Sequence, residues 1–316
     1  MRPRLVCLVG PTASGKTRLA LELAPRLDAE ILCADSRQVY RGLDLGTAKP
    51  TPAERAQVPH HGLDLAEPDD AFDVARYREA ALAAIAAVHA RRKSVLVVGG
   101  TGLYVRALLA GLCPAPPRSP RLRAVLRAWA EEEGTPALHR RLGHVDATAA
   151  ARIHPHDLVR IVRALEVATL TGRRLSEWQA SHGFAEAPFD ALVVGLAVPT
   201  AVLATRIAAR VDAMLDAGWL DEVRALAARR YADDAPVWRT LGYGHLRAAV
   251  EGRSTLAAAR DATVLATRRY AKRQRTWFRH DAAVTWRDPE VEGPRILADA
   301  TAFLRAPHIA KAGSPE

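Results

Sequence analysis

A glycine-rich segment near the amino terminus has the residue types and spacing of a loop that binds phosphate groups. It comes after a short apolar run at residues 5–9 and before leucines at helical spacing, so that a strand, a loop and a helix follow one another. Backbone N–H groups at the start of such a helix attract an anion, Lys16 adds a positive charge, and the Thr17 hydroxyl group is placed to bind Mg²⁺. The predicted polyphosphate-binding residues are Gly10, Pro11, Thr12, Ala13, Ser14, Gly15, Lys16 and Thr17.

The motifs that usually identify the nucleotide bound by such a loop are missing. The chain contains no asparagine, so the Asn-Lys-x-Asp segment that reads guanine is excluded. The apolar run at 94–98 ends in Gly99-Gly100-Thr101-Gly102 instead of the acidic residue expected of a hydrolytic ATPase. Asp35 supplies a carboxylate at a strand end, where it could bind Mg²⁺, accept a proton or cap the following turn.

The net charge favours a polyanionic partner. The 316 residues include 45 basic and 35 acidic ones, a formal charge of +10, which suits nucleic acid or an acidic membrane surface. Six Arg or Lys residues lie at 268–280, interleaved with Tyr270, Trp277 and Phe278. This pattern is typical of contact with unpaired bases, although a solvated helical face would look the same.

The chain has no segment typical of export or membrane insertion. No apolar run approaches transmembrane length, and the first one is too short for a signal peptide. The three cysteines lie far apart, without zinc-binding spacing. We therefore expect a cytoplasmic protein with no membrane partner.

Strand and helix patterns alternate along the first 112 residues, which predicts a parallel sheet flanked by helices. A proline-rich break follows, and residues 118–185 are helical throughout, with Asp157 as the N-cap of a helix that ends at Gly172. Strand character returns at 191–196. The predicted domains are an α/β core at 1–112 and 191–288, an all-helical insertion at 113–190 and a partly disordered tail at 289–316.

Six segments together resemble the bacterial tRNA dimethylallyltransferase (IPP transferase) family. They span about 270 residues, in the family's order, at 10–17, 35–50, 98–104, 152–167, 206–218 and 268–278. The resemblance implies a P-loop NTPase-like core and transfer of a dimethylallyl group from dimethylallyl diphosphate to N6 of adenosine 37 in tRNA, next to the anticodon. It also implies Mg²⁺ as cofactor, the tRNA anticodon stem-loop as partner and a monomer without an obligate protein partner.

The resemblance assigns chemical roles to four residues. Asp35 would accept the proton of the attacking N6 amine, and Lys16 and Arg210 would stabilise the departing diphosphate. From pattern alone, Arg206 and Arg210 share one helix face that could simply be solvated, and Arg206 is the second candidate for a diphosphate ligand. Thr101, which could equally belong to a turn, would lie on the tRNA side of the reaction channel.

The residues implied to contact tRNA fall in three segments and two isolated positions. Gln38 is chemically suited to the N6/N7 edge of a flipped adenine. His156 and the pair Gly244-His245 depart from the family's usual residues. The predicted tRNA-binding residues are Asp35, Ser36, Arg37, Gln38, Thr101, Arg123, Val159, Arg160, Ile161, Val162, Arg163, Arg239, Thr240, Leu241, Gly242, Tyr243 and Gly244.

Three other functions are compatible with the loop. A P-loop kinase of a small metabolite could use the arginine-bearing insertion as a lid. A prenyltransferase of free adenine nucleotides would not need the basic 268–280 segment. A nucleotide-switched RNA-binding module without catalysis is disfavoured by the missing guanine motif and hydrolytic carboxylate.

Overall fold

The chain divides into two compact units in the computed structural model, which describes residues 2–306. One unit contains the residues up to Leu109 and those from Pro188 onward, and the other is Ala110–Ala187. The boundaries expected from sequence, 113 and 190, each lie three residues further along the chain. The intervening unit is helical, as its sequence pattern predicts.

A six-stranded sheet forms the centre of the larger unit within residues 2–306. All its strand pairs are parallel, and their order is β3-β2-β4-β1-β5-β6. The strands are β1 (Arg4–Val9), β2 (Ala29–Cys33), β3 (His60–His61), β4 (Ser94–Gly99), β5 (Asp190–Leu196) and β6 (Val284–Arg287). The α/β fold is confirmed, but the two short edge strands β3 and β6 were not predicted.

Helices surround the sheet and build the smaller unit. Within residues 2–306 the α-helices are α1 (Lys16–Leu23), α2 (Pro52–Gln57), α3 (Val74–Ala90), α4 (Gly102–Ala110), α5 (Pro120–Glu133), α6 (Thr135–Val145), α7 (Ala147–Ala150), α8 (Leu158–Thr171), α9 (Leu175–His182), α10 (Thr200–Asp216), α11 (Trp219–Ala228), α12 (Tyr243–Val250), α13 (Leu256–Arg279) and α14 (Gly293–Arg305). The helix predicted at 16–27 ends early because Pro25 starts a separate 3₁₀ turn. None of these helices is long and apolar enough to cross a membrane.

Both faces of the sheet are buried, because successive residues of a strand point to opposite sides. In β1, Leu5 and Cys7 belong to the apolar cluster that α3, α4 and α10–α13 cover. Val6 and Leu8 belong to the opposite cluster, which α1 and α14 cover. The central strands are therefore held rigidly, and the loops at their carboxyl ends have a fixed base.

The smaller unit has its own apolar core, formed by α5, α6, α7 and α8. The predicted N-cap of α8 is confirmed, since the Asp157 carboxylate accepts a hydrogen bond from the Arg160 N–H at 3.1 Å. The helix ends at Gly172, whose φ of 66° suits glycine. Local sequence signals were sufficient to define this helix.

The carboxyl-terminal segment differs from the predicted tail. Residues 293–305 form α14, and its Ile296 and Ala300 are fully buried against the sheet. The apolar residues of this helix recur at helical spacing, but the pattern is short and only weakly indicates a helix. The end of the predicted tail, from residue 307 onward, lies outside the described residues.

We predict that α14 stabilises the larger unit. Replacing the buried Ile296 by alanine should lower the free energy of unfolding by about 2–5 kcal/mol, because a cavity would remain between α14 and the sheet. The matched change Val291→Ala, at a side chain that is 77% exposed, should cost less than about 0.5 kcal/mol. Urea denaturation measures both changes in the free energy of unfolding. If Ile296→Ala costs as little as Val291→Ala, α14 contributes little to the stability of the unit.

Candidate active site

The predicted phosphate loop joins β1 to α1 and has the conformation that anion binding requires. Ala13 and Gly15 have φ values of 64° and 90°, which turn the backbone so that successive N–H groups converge. The Lys16 ammonium group lies over the loop and donates to the carbonyl groups of Gly10 at 3.0 Å and Pro11 at 2.7 Å. It is therefore positioned beside the phosphate cradle.

The surroundings of Lys16 disfavour its protonated, charged form. Burial lowers its pKa to about 8, the Asp35 carboxylate opposes this change, and the Arg210 guanidinium adds to it. Burial likewise lowers the pKa of Arg210, again opposed by Asp35. Two partly buried cations, Lys16 and Arg210, thus lie near the same carboxylate, that of Asp35.

The loop offers fewer backbone donors to an anion than the sequence suggests. The Thr12 N–H donates to Gln274 Oε1 at 2.8 Å, and the Ser14 N–H donates to the Pro11 carbonyl group at 3.3 Å. Among residues 2–306, no hydrogen-bond partner is found for the buried Ser14 Oγ. The Thr12 and Ser14 N–H groups are therefore engaged within the protein, and the phosphate contacts expected of the loop stay a prediction.

Asp35 and Thr101 meet where β2 and β4 end. The Thr101 N–H donates to the Ala34 carbonyl group, and its hydroxyl group accepts from the Ser36 N–H at 3.0 Å. Asp35 Oδ1 accepts from the Arg37 N–H at 2.8 Å. This placement follows from the parallel sheet, whose strand ends gather side chains at one edge.

The loop that follows Asp35 is fixed from within. Lys49 has a fully buried side chain and donates to the Tyr40 carbonyl group, Asp44 and Asp64 at 2.6–2.7 Å. Gln38 Nε2 donates to the carbonyl groups of Thr47 and Ala48. In this arrangement the Gln38 Nε2 group is bonded within the loop, and the predicted contact of Gln38 with an adenine stays a prediction.

Two adjoining cavities meet at Asp35 and Arg210. The first, of about 280 Å³, lies against the phosphate loop and contains Lys16 and Thr17. The second, which we call the apolar cavity, is lined by Ile207, Val211, Met214, Trp219 and Leu241. The residues common to both walls are Thr12, Asp35, Thr47, Arg210 and Tyr270.

The first cavity has the oxygen ligands that Mg²⁺ prefers. Thr17 and Asp35 both line it, and Mg²⁺ commonly uses one or two protein ligands together with phosphate oxygens and water. Among residues 2–306 there is no cluster of three or more His, Cys, Asp or Glu residues that could hold a metal by itself. The site therefore fits a cation that arrives with a phosphate group.

Arg206 does not join Arg210 in this cavity. Its guanidinium pairs with Glu290 at 2.9 Å, and Arg18 pairs with the same carboxylate at 3.2 Å. The four-residue spacing places both arginines on α10, but the ion pair occupies Arg206 outside the cavity. Of the two, Arg210 is the candidate phosphate ligand.

The candidate RNA-binding residues of the smaller unit differ in exposure. Val159 and Arg160 are on the surface, whereas Ile161 and Val162 are buried in its core and do not form a contact surface. Arg163 is half-buried. These positions differ in exposure because they lie on one helix with a single apolar face.

Arg123 and Arg163 bind the same buried carboxylate. Arg123 makes two bonds to Glu166, at 2.7 and 2.8 Å, and Arg163 adds a third at 2.7 Å. Burial alone would raise the pKa of Glu166, but these bonds and the Ser119 N–H lower it to about 2. Both guanidinium groups therefore stabilise the unit through this carboxylate, and the predicted tRNA contacts of Arg123 and Arg163 stay predictions.

The segment 239–244 contributes two residues to the apolar cavity, Thr240 and Leu241. Arg239 is exposed. Tyr243 is fully buried and donates its hydroxyl hydrogen to Glu222 at 2.6 Å, and Trp219 packs tightly against Gly242. Gly244 is half-buried against the Trp238 carbonyl group. The predicted contact role is thus divided between two cavity residues, one exposed arginine and three packed residues.

Tyr270 and Gln274 belong to the site but were not predicted as site residues. They lie one turn apart on α13, and both line the first cavity. The Tyr270 and Thr101 hydroxyl groups are hydrogen-bonded, and burial raises the pKa of Tyr270 to about 12. Their four-residue spacing predicts a shared helix face, but the many arginines around them are equally typical of a solvated face.

The comparisons with known proteins agree on one family. Residues 38–281 match the family described as IPP transferase. A tRNA dimethylallyltransferase of Anaeromyxobacter dehalogenans (strain 2CP-C) is 52% identical over 295 residues, covering 93% of this chain and 98% of that protein. One of Geobacter sulfurreducens is 47% identical over 285 residues, covering 90% and 92%.

Solved structures give the same result. The tRNA isopentenylpyrophosphate transferase of Bacillus halodurans has a TM-score of 0.71 and 38% identity, covering 96% of this chain and 97% of that one. A eukaryotic dimethylallyltransferase described as acting on tRNA has a TM-score of 0.81 and 25% identity, covering 99% and 82%.

We predict that diphosphate binding depends on the protonation of Lys16. In the free protein Lys16 loses its proton near pH 8, whereas a bound anion would keep it charged. Binding at pH 9 should therefore take up a proton, and the affinity should fall by up to about tenfold per pH unit above 8. Calorimetry with inorganic diphosphate, in buffers of different ionisation enthalpy, measures both effects.

The variant Lys16→Arg separates this titration from that of diphosphate itself. Its guanidinium stays charged across the range, so its proton uptake should be smaller than that of the wild-type protein. Equal uptake by both proteins would show that Lys16 does not titrate in the site.

Proposed function

The chain belongs to the IPP transferase family, and we propose that it transfers the dimethylallyl group of dimethylallyl diphosphate to N6 of adenosine 37 in tRNA, releasing diphosphate. One observation carries this proposal. A cavity with an anion-binding loop and two cations adjoins an apolar cavity, and the Asp35 carboxylate lies where the two meet. Alkyl transfer from a diphosphate to an amine requires these three features together.

The leaving group is stabilised by the positive side of the site. As the C1–O bond of the donor breaks, its electron pair passes to the diphosphate, whose negative charge grows. Lys16, Arg210 and the remaining N–H groups of the loop oppose this charge in a partly water-excluded cavity. Mg²⁺ held with the help of Thr17 would neutralise part of the diphosphate charge.

The acceptor is activated by Asp35. The lone pair of N6 forms the new bond to C1, and the nitrogen loses a proton to the carboxylate, which later releases it to water. An exocyclic aromatic amine is a weak nucleophile, so removal of its proton assists the attack. The apolar cavity beside Asp35 supplies a surface for the dimethylallyl chain and an unstacked base.

The outer face of α13 supports tRNA as the acceptor. Arg268, Arg269, Lys272 and Arg273 are exposed on it, and no acidic residue occurs at 262–280. Such a row of cations suits a nucleic-acid backbone. An acceptor of this kind also supports a cytoplasmic location.

The test of the proposed function is transfer of label from radiolabelled dimethylallyl diphosphate to unmodified tRNA with Mg²⁺. A parallel reaction contains AMP instead of tRNA. We expect label in tRNA alone. Label in AMP would identify a free-nucleotide prenyltransferase, and no label in either acceptor would leave the kinase as the function to examine.

We predict that Asp35→Asn lowers the turnover number by about 10²–10⁴-fold, because general-base assistance is lost. The affinity for inorganic diphosphate should stay the same or rise, since the change removes a negative charge beside the anion site. Single-turnover transfer and calorimetry measure the two quantities. Asp69→Asn, at an exposed position, serves as the matched control. A loss of Mg²⁺-dependent affinity equal to the loss of turnover would make Asp35 a metal ligand instead.

A further inference from the structure

Gln274 connects the two loops on which the proposed reaction depends. We propose that it is a positioning residue, which holds the phosphate loop and the turn at residues 99–102 at the separation that transfer requires. This inference rests on the proposed function for its reaction, but its geometry stands on the structure alone. Gln274 lies on α13 and is 5% exposed.

The oxygen and the nitrogen of the Gln274 amide are hydrogen-bonded to different loops. Its Oε1 accepts from the Thr12 N–H at 2.8 Å, and its Nε2 donates to the Gly100 carbonyl group at 3.0 Å. Thr12 belongs to the donor side of the site, whereas Gly100 directly precedes Thr101 on the acceptor side. Each loop therefore has its position defined by the same side chain.

The close approach of Gln274 accounts for a glycine at position 100. A Cβ atom on Gly100 would lie 2.0 Å from Gln274 Nε2, so a side chain there would displace the amide. The same atom would lie 3.1 Å from the Gly10 carbonyl oxygen, a contact that a small shift relieves. Residue 100 thus needs to be glycine for this approach.

Tyr270 extends the same arrangement by one turn of helix. Its hydroxyl group is hydrogen-bonded to Thr101, and Thr101 in turn accepts from the N–H of Ser36. Through these contacts α13 holds the loops that end β1, β2 and β4. Because a misplacement of about 1 Å can cost about 100-fold in rate, such a clamp has a direct kinetic consequence.

Only a neutral amide satisfies both loops at once. A glutamate could accept from Thr12 but could not donate to the Gly100 carbonyl group, and it would place negative charge beside the diphosphate. A methionine has a similar volume and length but makes neither hydrogen bond. Gln274→Met therefore removes the clamp while keeping the packing nearly unchanged.

The experiment compares Gln274→Met with Gln57→Met, the same change at an exposed position at the end of α2. We expect the turnover number of Gln274→Met to fall by about 10- to 100-fold. The dissociation constants for inorganic diphosphate and for tRNA should change less than about threefold, because the charges that bind them remain. Gln57→Met should match the wild-type protein.

The outcomes separate this inference from the proposed function. A wild-type protein that transfers no label to tRNA refutes the function. Normal turnover in Gln274→Met overturns the positioning role, and so does a loss of turnover matched by equal losses of affinity and a large fall in melting temperature. If Gln274→Met does not fold, Gly100→Ala provides the same kinetic comparison, since its methyl group displaces the amide.

A double-mutant cycle tests the contact itself. Gly100→Ala alone should lower turnover like Gln274→Ala alone, but in Gln274→Ala the added methyl group has room. The double variant should therefore be less than about threefold slower than Gln274→Ala. If the double variant instead loses turnover by the product of the two single-variant factors, Gly100 and Gln274 act independently and the inference is overturned.

Discussion

Two partly buried cations in one cavity are the constraint on which the site depends. Burial lowers the pKa values of Lys16 and Arg210, and Asp35 is the carboxylate that opposes both changes. Without a ligand, this arrangement has more positive charge than its surroundings neutralise, and an anion relieves the cost. The same excess of positive charge that favours binding of a diphosphate also stabilises it as the leaving group, so binding and catalysis depend on one electrostatic feature.

Such a site needs stiff loops, because its charges must not relax towards each other. Glu222 accepts from the N–H groups of Asp44 and Leu45 at 2.9 and 2.8 Å and from the Tyr243 hydroxyl group, which ties the loop after Asp35 to α11 and α12. Trp219 packs where a Cβ atom on Gly46 would lie. Together with Gln274, these contacts hold the loops after β1, β2 and β4 by side chains from elsewhere in the unit, while Lys49 fixes the loop after Asp35 from within.

Sequence reasoning succeeded where one local signal defines one local structure. The phosphate loop, the main strands and the Asp157 cap each follow from a few adjacent residue types. It failed where a group chooses between distant partners. The Thr12 N–H bonds to Gln274, 262 positions away, and the Arg123 guanidinium bonds to Glu166, 43 positions away. α14 was missed as part of the core because its apolar residues gain stability only against a sheet formed much earlier in the chain.

The distribution of arginine shows why net charge does not map an RNA-binding surface. Arg18 and Arg206 are paired with Glu290, and Arg260 with Asp212, so these three of the 45 basic residues are engaged within the protein. The second half of α13 is different, since residues 262–280 contain no acid. Its outer face carries exposed cations, while its inner face carries Tyr270 and Gln274. A polyanion bound to the outer face would thus be held by the same rigid helix that fixes the reacting loops.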